Sequence, residues 1–252
     1  MTISSAADLP LHPAEYPPSP RASPRHLAVI VDGNRRWARE HRTEAAAAYR
    51  RGGDRVHELL TWCEEAGIGV VTLWPLSADN LRRDPDDVRD LVQVITEVVG
   101  ELANARRWQL NLFGDTALLG QVARRRIYDA AQRGSEIPGI TVNIAVAYDG
   151  REDITSAVRS LLSEHARLGT PVAAIADTLT SAEVARHLAL TGQPPVDLII
   201  RTSGEQRLSG FLPWQTAYSE LYFCDVNWPD FTREQFDAAL VSYSRRSRRF
   251  GQ

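Results

Sequence analysis

Four short stretches hold residues able to do chemistry. The first is DGNRRWA, residues 32–38. A glycine turn running into a helix start presents free backbone N–H groups and the positive end of a helix dipole, a natural anion site. Arg35 and Arg36 add charge beside Gly33 and Asn34. Asp32 has two readings. It caps the turn while the arginines are solvated, or it meets a phosphate through a divalent cation, since Mg²⁺ commonly takes one or two carboxylates plus phosphate oxygens and water. The second stretch is SADNLRR, residues 77–83. Ser77 and Asn80 are able to position a proton or a phosphate oxygen, and Arg83 to fork onto phosphate. Taken alone, the stretch reads as a polar strand-to-helix loop. The third is RTSGEQRLSGFLPWQ, residues 201–215, where Arg201, Arg207 and Ser209 could converge on one diphosphate. Glu205 within it reads as the partner of an arginine or as a metal ligand. The fourth, AYSELYF, sets Glu220 at the edge of an apolar strand, where a carboxylate is costly unless paired or metal-bound.

Together these describe two diphosphate sites, one with a metal carboxylate, beside apolar walls. Such a site suits ionisation of an allylic diphosphate. Mg²⁺ and arginines stabilise the leaving diphosphate, while a shielded pocket keeps water from the carbocation.

The elements that must position these residues alternate short apolar runs with helical ones. HLAVIV (26–31) and GVVTLW (69–74) are continuous apolar runs, as buried parallel strands require. Further strands are expected at 109–113, 139–146, 196–200 and 220–226. Helices are expected from Asn34, over 49–66, from the acids at 84–87 through Val99, and over 118–133, 154–168, 181–190 (capped by Ser181) and 233–248. This pattern predicts one α/β domain, residues 26–252, with a central, mostly parallel six-stranded sheet flanked by helices. Ligands of such sheets bind beyond the carboxyl ends of the strands, so the clusters following the strands should meet at one rim. Residues 1–25, rich in Pro, Ser and Ala, read as a flexible tail.

Composition narrows the chemistry. The 252 residues include 29 Lys+Arg, and every one is arginine. Schiff-base, phosphate-loop and general-base lysines are thereby excluded, whereas anion recognition is not, because arginine forks suit phosphate oxygens. Codon bias accounts for the count, so only placement informs. A net charge of -3 gives no overall basic field for nucleic acid. Two cysteines, Cys63 and Cys224, suit a reducing cytoplasm. The histidines form no HExxH pattern, and no run approaches the roughly 20 apolar residues of a membrane span.

The stretches HLAVIVDGNRRWA, LSADNLRRD, NIAVAYDGREDI and DLIIRTSGEQRLSGFLPWQTAYSELYF, followed by VNWPDF, resemble the cis-prenyltransferases of the undecaprenyl diphosphate synthase family. Within it, DGNRRWA, Tyr49, DNLRRDPDD and RTSGEQRLSGF are most similar to the short-chain branch that makes Z,E-farnesyl diphosphate. The resemblance implies a Mg²⁺-dependent prenyltransferase acting on isoprenoid diphosphates, with Mg-assisted ionisation at Asp32. It also implies a homodimer in the cytoplasm without an integral membrane segment, compatible with peripheral membrane contact. By the same resemblance, Gly33, Asn34, Arg36 and Arg83 serve the allylic diphosphate, with Trp37 beside it; Arg35, at a position where long-chain members have Gly, is taken as a further substrate-binding charge. Ser77 and Asn80 serve catalysis and proton removal. Arg201, Arg207 and Ser209 hold the second diphosphate, and Glu220 joins Asp32 at the metal, sometimes across the dimer interface.

The chain departs from the family pattern at several positions. Ala48-Tyr49 replaces a Gly-His pair, Ala45 an arginine, and SADN the motif SSEN. Pro75 falls where a tunnel wall is expected, next to Trp74. These departures keep open a head-to-middle condensation of geranyl and dimethylallyl diphosphates to a lavandulyl-type skeleton. A non-catalytic partner subunit is the third reading, against which Asp32, Arg201, Arg207 and Glu220 are all present.

Overall fold

Consecutive residues of the central strands point into different cores. Leu27 and Val29 belong to one cluster of buried side chains, Ala28 and Ile30 to another. A strand apolar on both faces needs helices above and below, and the computed structural model, which describes residues 23–245, supplies them. Six strands form one all-parallel sheet: β1 (His26–Ile30), β2 (Val70–Ser77), β3 (Gln109–Phe113), β4 (Thr141–Tyr148), β5 (Leu198–Arg201) and β6 (Glu220–Phe223). Their order is β3-β4-β2-β1-β5-β6.

The helices are α1 (Asn34–Glu40), α2 (Ala45–Glu65), α3 (Pro85–Ala105), α4 (Gln121–Gly134), α5 (Gly150–Arg167), α6 (Val172–Thr178), α7 (Ser181–Ala185) and α8 (Arg233–Arg245). The larger core joins α2, α3, α4 and α8 to one face of the sheet. Among the described residues, no helix is long and apolar enough to cross a membrane.

Several boundaries differ from the sequence expectation. The second helix starts at Ala45 rather than Tyr49, because the alanine run propagates helix well and Ala48 is buried. Residues 172–178, to which the sequence reading assigned no element, form α6. Thr180, not Ser181, caps α7, in a reciprocal box with Glu183. β2 continues through Pro75 to Ser77, and its register against β4 shifts between Leu73 and Leu76. A proline has no N–H for a ladder, so it is accommodated at such an irregularity. Residues 1–22 of the expected tail, and residues 246–248 of the expected last helix, lie outside the described residues.

On the face opposite α2 and α3, the sheet carries a buried polar chain. The two ring nitrogens of His26 contact the Pro194 carbonyl (2.8 Å) and Thr72 Oγ1 (2.7 Å). Asn143 Nδ2 donates to Thr72 Oγ1 and to Gln193 Oε1. Burial lowers the His26 pKa from 6.5 to about 4, outweighing the Pro194 carbonyl and Asp197, which raise it. Below pH 6.5 the unfolded chain therefore binds the proton that the folded chain refuses, and stability is lost as pH falls toward 4. This group is expected to remove about 2 kcal/mol of folding free energy between pH 7 and pH 5. Urea unfolding of the wild type and of His26→Gln at both pH values measures it. The variant should lose that share of the pH dependence, and identical dependence in both proteins would refute the assignment.

Candidate active site

β1 and β5 lie side by side with Ile30 opposite Arg201, so the residues that follow both strands emerge together. Thr202 stitches them: its hydroxyl accepts from the Asp32 amide (3.0 Å) and donates to the Asp32 carbonyl (2.6 Å). Gly33 then turns the chain into α1 with φ 101°, and a Cβ there would stand 2.4 Å from Asn227 Oδ1 and 2.8 Å from Ser203 Cβ. Only glycine satisfies both constraints. No side chain caps α1.

Arg201 is the buried centre of the rim, 4% exposed. Its Nη2 donates to Asp32 Oδ2 at 2.7 Å, and its Nη1 donates to Ser209 Oγ at 2.9 Å and to the Arg207 carbonyl. The other Asp32 oxygen accepts from the Gly33 amide at 2.7 Å. Arg36 reaches across from α1 to the Ser203 carbonyl and to Glu205, which also binds Arg207. Hydrogen bonding to Arg207 holds the Glu205 carboxyl below its ordinary range. Glu205 is thus an arginine partner, one of its two sequence readings. The loop between β5 and β6 has left-handed backbone at Ser203, Ser209 and Leu212, conformations that non-glycine residues hold only under constraint.

These groups line a cavity of about 660 Å³ with six arginines and two carboxylates, Asp32 and Glu205, on its wall. Such a surplus of guanidinium groups attracts a multiply charged anion. Below it, between the sheet, α2 and α3, lies an apolar recess of only about 60 Å³, with Val94, Ile95 and Val99 among its walls. Gly53 lets α2 approach closely, since a Cβ there would meet Val98 Cγ2 at 2.6 Å. Asn34 stands where the two spaces meet. Its Nδ2 donates to the Val31 carbonyl (3.1 Å), while its buried Oδ1 has no partner among the described residues.

The expected residues gather here with two exceptions. Asp32, Gly33, Asn34, Arg35, Arg36, Ser77, Asn80, Arg83, Arg201, Arg207 and Ser209 all line the cavity. Ser77 and Asn80 also cap the short 3₁₀ turn Ala78–Arg82, each accepting from the other's amide (3.1 and 3.3 Å). Trp37 is not part of the lining: its indole donates to Asp230 Oδ2 at 2.7 Å and its ring stacks on His41, so it anchors α1 from behind. Glu220 pairs with Leu198 in the ladder, three residues before Arg201, or roughly 10 Å down the strands, and it too lies outside the lining. Thr202, Asn227 and Asp230, to which the sequence reading gave no role, hold the rim in shape; Thr202 lies within the stretch 201–215, and VNWPDF was the signal for the other two.

Among the described residues, no group of three or more His, Cys, Asp or Glu side chains could hold a metal. The cavity offers a different fit. The Asp32 side chain is 38% exposed, leaving carboxylate lone pairs open beside arginines. One carboxylate completed by phosphate oxygens and water suits Mg²⁺.

Residues 30–251 match the prenyltransferase family model that describes undecaprenyl diphosphate synthases. A (2Z,6E)-farnesyl diphosphate synthase of Thermobifida fusca is 48% identical over 229 residues, covering 90% of each chain. A short-chain Z-isoprenyl diphosphate synthase of Mycobacterium bovis is 46% identical, over 90% of this chain and 88% of that protein. The crystal structure of lavandulyl diphosphate synthase from Lavandula x intermedia, in complex with dimethylallyl diphosphate, superposes with a TM-score of 0.84 at 32% identity, covering 92% of this chain and 99% of that one.

Because Arg201 is buried against Asp32, Asp32→Ala strands a guanidinium as well as removing a carboxylate. That variant is expected to lose about 1–3 kcal/mol of stability. Asp32→Asn keeps an oxygen for Arg201 and should cost less than about 1 kcal/mol. Urea unfolding of both variants checks the difference, and equal losses would show that the pair does not hold the rim.

Proposed function

The chain belongs to the undecaprenyl diphosphate synthase family, and from that premise we propose that it is a short-chain cis-prenyltransferase condensing an allylic diphosphate with a five-carbon isoprenoid diphosphate. One observation carries the reading: the arginine-lined cavity of about 660 Å³ leads into an apolar recess of only about 60 Å³. Charged head and short apolar chain are thereby given separate, adjoining places. The names of the bacterial relatives agree with a short product.

In this reading Gly33, Asn34, Arg35, Arg36 and Arg83 hold the allylic diphosphate, and Arg207 and Ser209, organised by Arg201, hold the five-carbon diphosphate. The C1–O bond of the allylic substrate breaks with both electrons leaving on diphosphate. The double bond of isopentenyl diphosphate attacks C1, and loss of a C2 proton restores a double bond. That proton passes to the released diphosphate, with Ser77 and Asn80 positioned to guide it. Asp32 would hold Mg²⁺, which when bound neutralises charge on the departing diphosphate. Glu220 lies outside the cavity of its own chain, so a metal role for it requires a second copy, consistent with a homodimer. The apolar walls around Pro75 and Leu91 keep water from the cation. A cytoplasmic location is part of the reading.

A head-to-middle condensation is the second reading, supported by the likeness to lavandulyl diphosphate synthase. Two incubations with Mg²⁺ separate them: geranyl with isopentenyl diphosphate, and geranyl with dimethylallyl diphosphate, each analysed by mass spectrometry after dephosphorylation. A linear fifteen-carbon alcohol from the first supports the main reading. A branched lavandulyl-type skeleton from the second would replace it, and no product from either would leave a non-catalytic subunit. Asp32→Asn is expected to lower turnover by about 100-fold or more while remaining folded.

A further inference from the structure

The polar cavity and the apolar recess share five lining residues, Val31, Asn34, Tyr49, Pro75 and Leu91, which form a neck between them. Tyr49 is 4% exposed, and its hydroxyl donates to Asp87 Oδ1 at 2.6 Å. Asp87 sits in the first turn of α3, and its other oxygen lies 3.6 Å from Arg35 Nη1. The side chain thus runs from α2 to the start of α3, the two helices whose facing sides wall the recess. Burial, and then the bond to Asp87, push the phenol pKa up, so the hydroxyl remains a donor at every ordinary pH.

A hydrogen bond to a carboxylate is among the stronger neutral-to-charged contacts. It ties the ring in place and holds the two helices together at the mouth of the recess. A prenyl chain descending from the cavity passes this ring. The recess beyond it is narrow, and a longer prenyl chain that strains its walls pushes α2 and α3 apart or swings the ring, both movements working against the Tyr49–Asp87 bond. We infer that Tyr49 and Asp87 form a collar that determines which allylic chain lengths the enzyme admits, a role distinct from diphosphate binding. The inference rests on the allylic diphosphate reading above. Arg35 connects the collar to the anion cavity, because the carboxylate that fixes the ring also faces that guanidinium.

The test compares the full-length wild type, Tyr49→Phe, Asp87→Ala (which removes the acceptor) and the double variant, all with Mg²⁺. Calorimetry measures binding of geranyl and farnesyl diphosphate separately, and turnover of each is followed with isopentenyl diphosphate. The wild type should prefer geranyl. Each single variant should shift the farnesyl-to-geranyl ratio of binding constants toward farnesyl by about tenfold, and the double variant should shift it no further, because one bond is broken in all three. A merely structural role would weaken both chain lengths alike and leave the ratio unmoved, which overturns the collar. A shifted ratio without turnover in the wild type keeps the collar and overturns the proposed reaction. Turnover with an unmoved ratio does the reverse, and binding of neither diphosphate by the wild type overturns both.

Discussion

A guanidinium buried to within a few per cent of full enclosure has to meet a carboxylate, and at the rim of this sheet Arg201 meets Asp32. Most of the site's geometry hangs on that contact. It joins the ends of β1 and β5, and the same arginine gathers the loop after β5 through Ser209 and the Arg207 carbonyl. The pair also divides the charge of the cavity. Arg201 is turned inward with both terminal nitrogens paired, while Arg35, Arg39 and Arg207 remain exposed around an Asp32 that is itself partly open. A carboxylate placed this way serves both as an anchor for the loop and as a ligand for a cation arriving with phosphate.

Close packing does the rest. Gly33 brings the Asp32 turn against Ser203 and Asn227, and Gly53 brings α2 against α3. Glycine inside a helix costs roughly 1 kcal/mol relative to alanine. Here it permits a helix contact that narrows the recess beneath the cavity. Polar space above and tight apolar space below follow from where small residues allow backbones to approach, together with a β2 strand irregular at Pro75.

Much of this was legible in one dimension. The run 27–30 declares itself because both faces of a central parallel strand are buried, so its apolar residues are unbroken. The clusters at 32–37, 77–83 and 201–209 could be assigned to one rim because parallel topology sends every strand end the same way. Asp84 was readable as the start of α3, since an acid before Pro85 caps a helix by local hydrogen bonds alone. Less local features escaped. Trp37 sits in the same motif as Asp32, yet helical rotation turns it toward Asp230, nearly two hundred residues away. Glu220 belongs to an apolar strand whose register, set by pairing with β5, keeps it below the rim.

What the amino-acid sequence determined by itself was the chemistry available: planar forks without lysine, one aspartate at a glycine turn, small polar residues after strands, and a fold class written in hydrophobic period. What only the tertiary structure decided was how those groups are used. It made Arg201 an inward organiser, gave Glu205 to arginines, set Ser77 and Asn80 as mutual caps, and drew Tyr49 onto Asp87 between two helices. The physical reason is range. Hydrophobic period, caps and turns depend on neighbours within a few residues, whereas charge pairing, burial and cavity volume depend on groups that meet only after the chain has closed on itself.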